Sequence, residues 1–361
     1  MINVMRSKQG QAKRPASCGA TRHPVFLAIW LAVCLSATTG YSFTALYVFG
    51  DSLSDTGRNP APAPDYYDGR YCNGPLWVEY LSAQLGIHYN PSNNFAVSGS
   101  TTSDLLAQIA GLQGFTNLQS GIFTVDSGGN DFLQSGSLGV NDPAWAMVVS
   151  NAVFNLTNAI EVLYTNGARE IMVGNLANVG QTPLFNSYPA GYGIYVDTKV
   201  ALFNSLLIKS LPNVMQRNPG LRIYVLDNNL GLSIVLNAPA TYGFTVTTNG
   251  ALEDPNLADK SFTGPGADYV FWDVVHPTTK LDAMIAAVAF DSVAVQLKLA
   301  SSETNLNLSL RNLYPTLPYT IQNSTDLTRW SNYDTFTATT TNASMVVTNG
   351  AGKSMFYRVL Y

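Results

Sequence analysis

Ala45-Leu46-Tyr47-Val48-Phe49-Gly50-Asp51-Ser52-Leu53-Ser54-Asp55 sets five apolar residues directly against a Gly-Asp-Ser turn. A short continuous apolar run closed by turn residues reads as a buried strand. The texture returns at Ile122 to Val125, Ile171 to Val173 and Leu221 to Leu226. Between these runs lie amphipathic stretches that predict helices at Pro75 to Leu85, Ser103 to Leu112, Pro143 to Tyr164 and Val196 to Gln216. Strand, helix, strand order predicts an α/β domain, with a parallel sheet covered by helices on both faces. The runs end in Gly50-Asp51-Ser52, Asp126-Ser127-Gly128-Gly129-Asn130, Gly174-Asn175 and Asp227-Asn228-Asn229. Polar loops at the carboxyl ends of parallel strands are where such folds bind ligands.

A further helix is predicted from Thr278 to about Leu299, after which the texture changes. Residues 301–361 are rich in Thr, Asn and Ser, with alternating stretches at Tyr319 to Gln322, Thr335 to Thr337 and Met355 to Val359. Turn residues separate them at Asn323-Ser324, Asn342-Ala343-Ser344 and Asn349-Gly350, the pattern of a small antiparallel β module. The module resembles C-terminal appendages of some exported bacterial proteins, through Gln322-Asn323-Ser324-Thr325-Asp326-Leu327, then Trp330 and a closing Phe356-Tyr357-Arg358. It is too short for a membrane barrel of roughly eight strands or more.

The 361 residues are 46% hydrophobic and 12% charged, enough apolar content for a sizeable core and too much for a disordered chain. The net charge of −4, with no basic run beyond the first residues, argues against a nucleic-acid partner. That basic start is Arg6, Lys8, Lys13, Arg14 and Arg22, followed by an apolar run from Val25 to Leu35 and small residues to Gly40. The run is too short for the roughly 20 residues that span a bilayer, so residues 1–40 read as a signal peptide, cleaved between Ala37 and Ser42. An uncleaved anchor, a misplaced start and a lipid anchor at Leu31-Ala32-Val33-Cys34 are the alternatives. Export leaves the α/β domain at 41–300, the module at 301–361 and a charge of −9. Cys72 is then the one remaining cysteine, which predicts a buried thiol and no intramolecular disulfide. No second apolar run approaches membrane-spanning length.

Ser52, at the end of the first strand with Gly50 before it, is placed to present its hydroxyl at the sheet's upper edge. Outside the leader there are two histidines, His88 and His276. His276 follows Asp273 by three residues in Asp273-Val274-Val275-His276-Pro277, close enough for the carboxylate to bond the ring and fix its tautomer. His88 has no such partner and reads as a loop residue. Acyl transfer also needs donors for an oxyanion, and Gly99 in Asn94 to Gly99 and Asn130 in Gly128-Gly129-Asn130-Asp131 offer them. Each feature also has a plainer reading: an ordinary turn at Ser52, Asp273 as a helix cap, and Gly99 and Asn130 as turn residues. There is no Gly-x-x-x-x-Gly-Lys loop and no Gly-x-Gly-x-x-Gly after the first strand, so no nucleotide cofactor is expected. Two histidines and one cysteine supply no zinc spacing, so no metal is expected either.

Gly50-Asp51-Ser52-Leu53, then Gly99, then Gly129-Asn130-Asp131, then Asp273 to His276 together resemble the four ordered blocks of the GDSL-type, or SGNH, esterases and lipases. The flanks Asp55-Thr56-Gly57 with Asn59, Gly69 to Gly74 with Trp77, and Gly167-Ala168-Arg169 are similar to the branch of plant GDSL esterases and bacterial lecithinase-like enzymes. Arg58 before Asn59, and Ser127-Gly128 before Gly129, depart from the family pattern. Ser54 replaces the last glycine of a Gly-x-Ser-x-Gly elbow, which disfavours the α/β-hydrolase superfamily. The resemblance implies a three-layer α/β/α, flavodoxin-like fold over Ala45 to Leu299. It implies Ser52 as nucleophile, His276 as base and then acid, and Asp273 as the residue orienting the ring. It assigns the oxyanion hole to the Ser52 and Gly99 N–H groups and the Asn130 side chain. The expected activity is an exported serine esterase or lipase acting on a small-molecule or lipid ester, with a carbohydrate acetyl ester as the other substrate class. The rival is a non-catalytic binding protein attached to a surface or polymer through residues 301–361.

Overall fold

A computed structural model of the chain describes residues 43–301, 305–313, 318–340, 342–348 and 355–360. The expected export segment lies outside them. The α/β region runs β1 (Leu46–Gly50), α1 (Trp77–Gln84), α2 (Leu105–Ala110), β2 (Ile122–Asp126), α3 (Gly129–Leu133), α4 (Ala144–Thr165), β3 (Glu170–Gly174), α5 (Tyr192–Arg217) and β4 (Arg222–Leu226). It continues with α6 (Asn228–Asn237), β5 (Val246–Gly250), β6 (Tyr269–Phe271) and α7 (Thr279–Val293). β1 to β4 form a parallel sheet in that spatial order. The segment Asn94 to Val97 lies outside β1, where Phe95 N–H donates to Val48 O at 2.7 Å and Val97 N–H to Gly50 O at 3.1 Å. Counting that irregular edge, the chain starts at the second position and winds outward both ways. The carboxyl end of β1 is therefore a switch point, the place where doubly wound sheets open a crevice.

The apolar runs form strands because alternate side chains find a helix layer on each face. Leu46, Val48, Ile122, Met172 and Leu226 pack with Trp77, Leu81, Ala286 and Ala289 of α1 and α7. Tyr47, Phe49, Phe123, Val125, Ile171 and Val173 pack with residues of α2, α4 and α5 such as Ile109, Trp145, Leu156 and Phe203. Each such buried large side chain contributes about 1.5–3 kcal/mol. α4 is long and apolar enough to cross a membrane, which the sequence expectation had not allowed for. Here its Trp145, Val149, Ala152, Leu156 and Ile160 are buried against the sheet, so it serves as a core helix. Gly50 is fixed sterically: at φ +152° a Cβ would sit 2.1 Å from Asp126 O on the neighbouring strand.

The last predicted helix was expected to reach about Leu299, but α7 ends at Val293 and residues 296–301 are β7 (Gln296–Ser301). The reason is period: Val295-Gln296-Leu297-Lys298-Leu299 alternates apolar and polar as a strand does. The module continues with β8 (Asn305–Arg311), β9 (Pro318–Ser324), β10 (Ser331–Thr337), β11 (Ala343–Thr348) and β12 (Phe356–Leu360). Two three-stranded antiparallel sheets, β10-β9-β12 and β11-β8-β7, enclose Leu308, Leu310, Tyr319, Ile321 and Val347. Ala343 and Ser344 lie in β11 and not in a turn, while Asn349-Gly350 lies outside the described residues.

Candidate active site

Ser52 stands on a tight turn at the end of β1, where Asp51 O accepts the N–H groups of Ser54 and Asp55, each at 3.0 Å. Asp273 and His276 lie on the loop between β6 and α7, closed by Trp272 N–H donating to His276 O at 2.7 Å. Within it Asp273 Oδ1 accepts the N–H groups of Val275 and His276, both at 2.7 Å. Asp273 Oδ2 is 2.7 Å from His276 Nδ1, and His276 Nε2 is 2.7 Å from Ser52 Oγ. The nucleophile-to-base contact joins residues 224 positions apart in sequence. Asp273 is not the cap of α7, whose N-cap is Thr278. With Nδ1–H donated to Asp273, Nε2 is left to accept the Ser52 hydroxyl proton. The Tyr71 ring lies over the imidazole with centroids 4.9 Å apart.

Burial pulls the Asp273 carboxyl upward, but hydrogen bonding and charge from His276 and the N–H groups of His276 and Val275 outweigh it and hold the group below its ordinary value. Two neighbours go the other way. Asp51, pushed up by burial and then by Asp126, and Asp126, pushed up by burial, each rise to about 7. These two buried carboxyls stand at the ends of adjacent strands, and both line the cavity below Ser52.

Gly99 adopts φ +87° with open space around its missing Cβ, so backbone conformation and not packing selects glycine there. Asn130 is the second residue of α3, and its Nδ2 donates to Ser100 O at 2.8 Å, which ties the Gly99 loop to the α3 start. A primary amide carries two N–H donors, so one is left after that bond. Asn130 and Ser52 share a cavity of about 110 Å³ whose wall includes Leu53, Leu133, Leu176, Leu232 and Val275. Gly99 is not on that wall, and among the described residues neither is any from the β module.

A profile of the GDSL-like lipase/acylhydrolase family matches residues 46–288. The chain belongs to this family. It is a carboxylic ester hydrolase, consistent with the Ser52, His276 and Asp273 geometry. Over 315 residues it is 25% identical to a phosphatidylcholine-sterol acyltransferase of Aeromonas hydrophila, covering 69% of this chain and 89% of the relative. A GDSL esterase/lipase of Arabidopsis thaliana is 24% identical, covering 70% of this chain and 89% of the plant protein. An uncharacterised Pseudomonas putida protein is 27% identical over 79% of this chain, which spans about half (54%) of that relative's length. An acetylxylan esterase structure from Geobacillus stearothermophilus aligns with a TM-score of 0.43 at 15% identity, over 71% of this chain and 97% of the other.

In this GDSL-type hydrolase two site residues had escaped the sequence reading. Asp55 accepts five hydrogen bonds: from the N–H groups of Gly57, Arg58 and Asn59 at 2.9, 2.6 and 2.9 Å, and from Ser98 N–H and Oγ at 2.7 and 2.9 Å. It thus holds the Ser98-Gly99 turn against the nucleophile loop. Its signal was the acidic residue three positions after Ser52. Tyr66 donates its hydroxyl to Asp273 Oδ2 at 2.8 Å, and no local pattern marks a partner 207 residues away. Arg58, a departure from the family pattern, places its guanidinium 4.9 Å from the Phe95 ring centroid and bonds Asn94 O, bracing the edge segment. His88 lies exposed in a loop, as expected. Cys72 is buried, its thiol donating to Asp282 Oδ2 at 3.3 Å, and burial pushes it well above the ordinary value.

Proposed function

We propose that the protein is an exported serine esterase that cleaves carboxylic esters of short or medium acyl chains through an acyl-enzyme on Ser52. The observation that carries this reading is the unbroken chain of two 2.7 Å contacts from Ser52 Oγ through the imidazole to Asp273. His276 Nε2 takes the Ser52 proton as Oγ attacks the ester carbonyl, and Asp273 stabilises the imidazolium that forms. The carbonyl oxygen becomes an oxyanion, for which the Ser52 and Gly99 N–H groups and the free Asn130 N–H are the proposed donors. Collapse expels the alkoxide, which takes the proton from His276. Water, deprotonated by the same ring, then releases the acid and restores Ser52.

The acyl limit follows from size. At about 110 Å³ the cavity beside Ser52 is smaller than the roughly 150 Å³ apolar cavity that holds benzene, which leaves room for a short chain. Export is supported by the basic residues Arg6 to Arg22 ahead of the apolar run Val25 to Leu35. The test is turnover of nitrophenyl esters from acetyl to palmitoyl by the full chain and by Ser52→Ala, with a serine-directed organophosphate and mass spectrometry. Short esters should turn over fastest, and Ser52→Ala should lose about 10⁴-fold or more in kcat with its fold intact. Wild-type turnover by the variant, or an adduct elsewhere, would overturn the nucleophile. A preference for palmitoyl would overturn the acyl limit alone.

A further inference from the structure

Asp273 Oδ2 carries a second bond that a Ser-His-Asp arrangement does not require. The Tyr66 hydroxyl donates to it at 2.8 Å, and it is the same oxygen that faces His276 Nδ1 at 2.7 Å. The loop bearing Tyr66 is held in place independently: Trp272 Nε1 donates to Asp65 O at 2.9 Å, locking that loop to the residue preceding Asp273. The Tyr66 ring also packs 5.2 Å from Tyr71, whose own ring covers the imidazole. Two tyrosines from one loop therefore clasp the base from its carboxylate end and its face.

We propose that Tyr66 is a positioning residue for catalysis, acting through Asp273 to set the orientation of His276 and its affinity for a proton. This deepens the esterase reading and rests on it. A hydroxyl donated to a carboxylate spreads part of its negative charge, so the Asp273–imidazolium attraction is weaker with Tyr66 present than without it. Removing the hydroxyl makes the Asp273–His276 pair hold a proton more tightly. Less unprotonated base is then available at a given pH, and the acid limb of the pH–rate profile moves to higher pH. The other ionisable groups facing the pair are Asp51 at the end of β1, Tyr71, and Glu253 on the loop after β5. None of them changes in the variant.

The experiment compares the full chain with Tyr66→Phe, using Tyr67→Phe as a neighbour control, and follows kcat, KM and the acid limb on one ester. Tyr66→Phe should lower kcat roughly tenfold, leave KM within about twofold and shift the acid limb upward, with Tyr67→Phe unchanged. A merely structural tyrosine would lower the melting temperature without moving that limb. A double-mutant cycle with Asp273→Asn supplies the coupling: once Asp273 is gone, Tyr66→Phe should cost little more. Unchanged kcat and acid limb, equal effects from Tyr67→Phe, a rise in KM alone, or additive losses in the cycle would each overturn the proposal. The low-field proton resonance of the His276–Asp273 bond should also move in Tyr66→Phe. That signal is read without turnover, so it separates failure of this proposal from failure of the esterase reading.

Discussion

The turn that follows β9 in the module closes its polar groups on near neighbours, whereas the crevice of the α/β region closes several of its own across the whole chain. In the module Ser324 Oγ accepts Leu327 N–H at 2.9 Å, and Asp326 Oδ1 accepts the N–H groups of Thr328 and Arg329 at 2.9 and 2.8 Å. Trp330 Nε1 then donates to Leu327 O, and Arg358 stacks on the Trp330 ring at 4.3 Å. The motif that stood out in the sequence is thus a turn and its lid. In the α/β region the decisive bonds join Asp55 to Ser98, Tyr66 to Asp273 and Ser52 to His276. A buried polar group is costly unless satisfied, so selecting several of them in one crevice points to chemistry more than to folding.

The contrast breaks first, and by the largest effect, at Asp55. Asp55→Ala strands five donors, one of them the buried Ser98 N–H, and should destabilise the protein by about 3–5 kcal/mol. Turnover should fall with it, because the Gly99 turn loses its anchor. Denaturant unfolding and kcat on a nitrophenyl ester measure both. The matched change in the module, Asp326→Ala, removes an exposed local acceptor and should leave kcat at the wild-type value. Equal losses at the two positions would erase the distinction.

A smaller effect, of opposite sign, is expected at Asp126. Its carboxyl is raised to about 7 by burial, above the ordinary 3.8. Below about pH 3 it is largely protonated in both folded and unfolded chains and costs little. As pH rises to about 7 the unfolded chain ionises while the folded one resists, so stability is lost through that window. Asp126→Asn keeps the acceptor for Asn228 Nδ2, at 3.2 Å in the native site, and removes the titration. It should stabilise the protein by on the order of 1–3 kcal/mol at pH 8 and by little near pH 3. Melting curves at the two pH values check this; a gain independent of pH would mean that the group does not titrate as inferred.

What was legible in the sequence follows the same division. The first three sheet strands were readable because they are buried on both faces and so nearly uniformly apolar, as in Leu46 to Phe49 and Ile171 to Val173, and β4, though half-buried at Ile223 and Val225, keeps the same apolar run. β5 and β6 were not: Val246-Thr247-Thr248-Asn249-Gly250 lacks that density, and β6 has three residues. Asp227 looked like a strand-end loop because a cap and a turn share one vocabulary, and its side chain in fact caps α6 by accepting Leu230 N–H. Ser52, His276 and Asp273 were legible from their residue types and their order along the chain. Their meeting, and the bonds of Tyr66 and Asp55, depend on contacts that no local pattern encodes.

The smallest expected effect tests the separation of the two regions directly. Because β7 pairs with β8 and Val295 and Leu297 pack in the module core, a truncation must fall after Ala294 and not after Ala300. Cutting at 300 would leave an unpaired apolar strand on the catalytic region, a route to aggregation with no bearing on the site. Cutting after Ala294 removes no described residue of the cavity wall, though α7 loses the Asn312 Nδ2 bond to Ala294 O at its end. A frayed last turn of α7 should cost a few tenths to about 1 kcal/mol, since helix ends are the least stable part of the element. The truncated protein should therefore match the full chain in kcat and KM on a soluble ester while melting slightly lower. A large loss of kcat in a folded truncation would mean that the module shapes the crevice, and the contrast between the locally closed turn of the module and the long-range closure of the crevice would no longer separate the two regions.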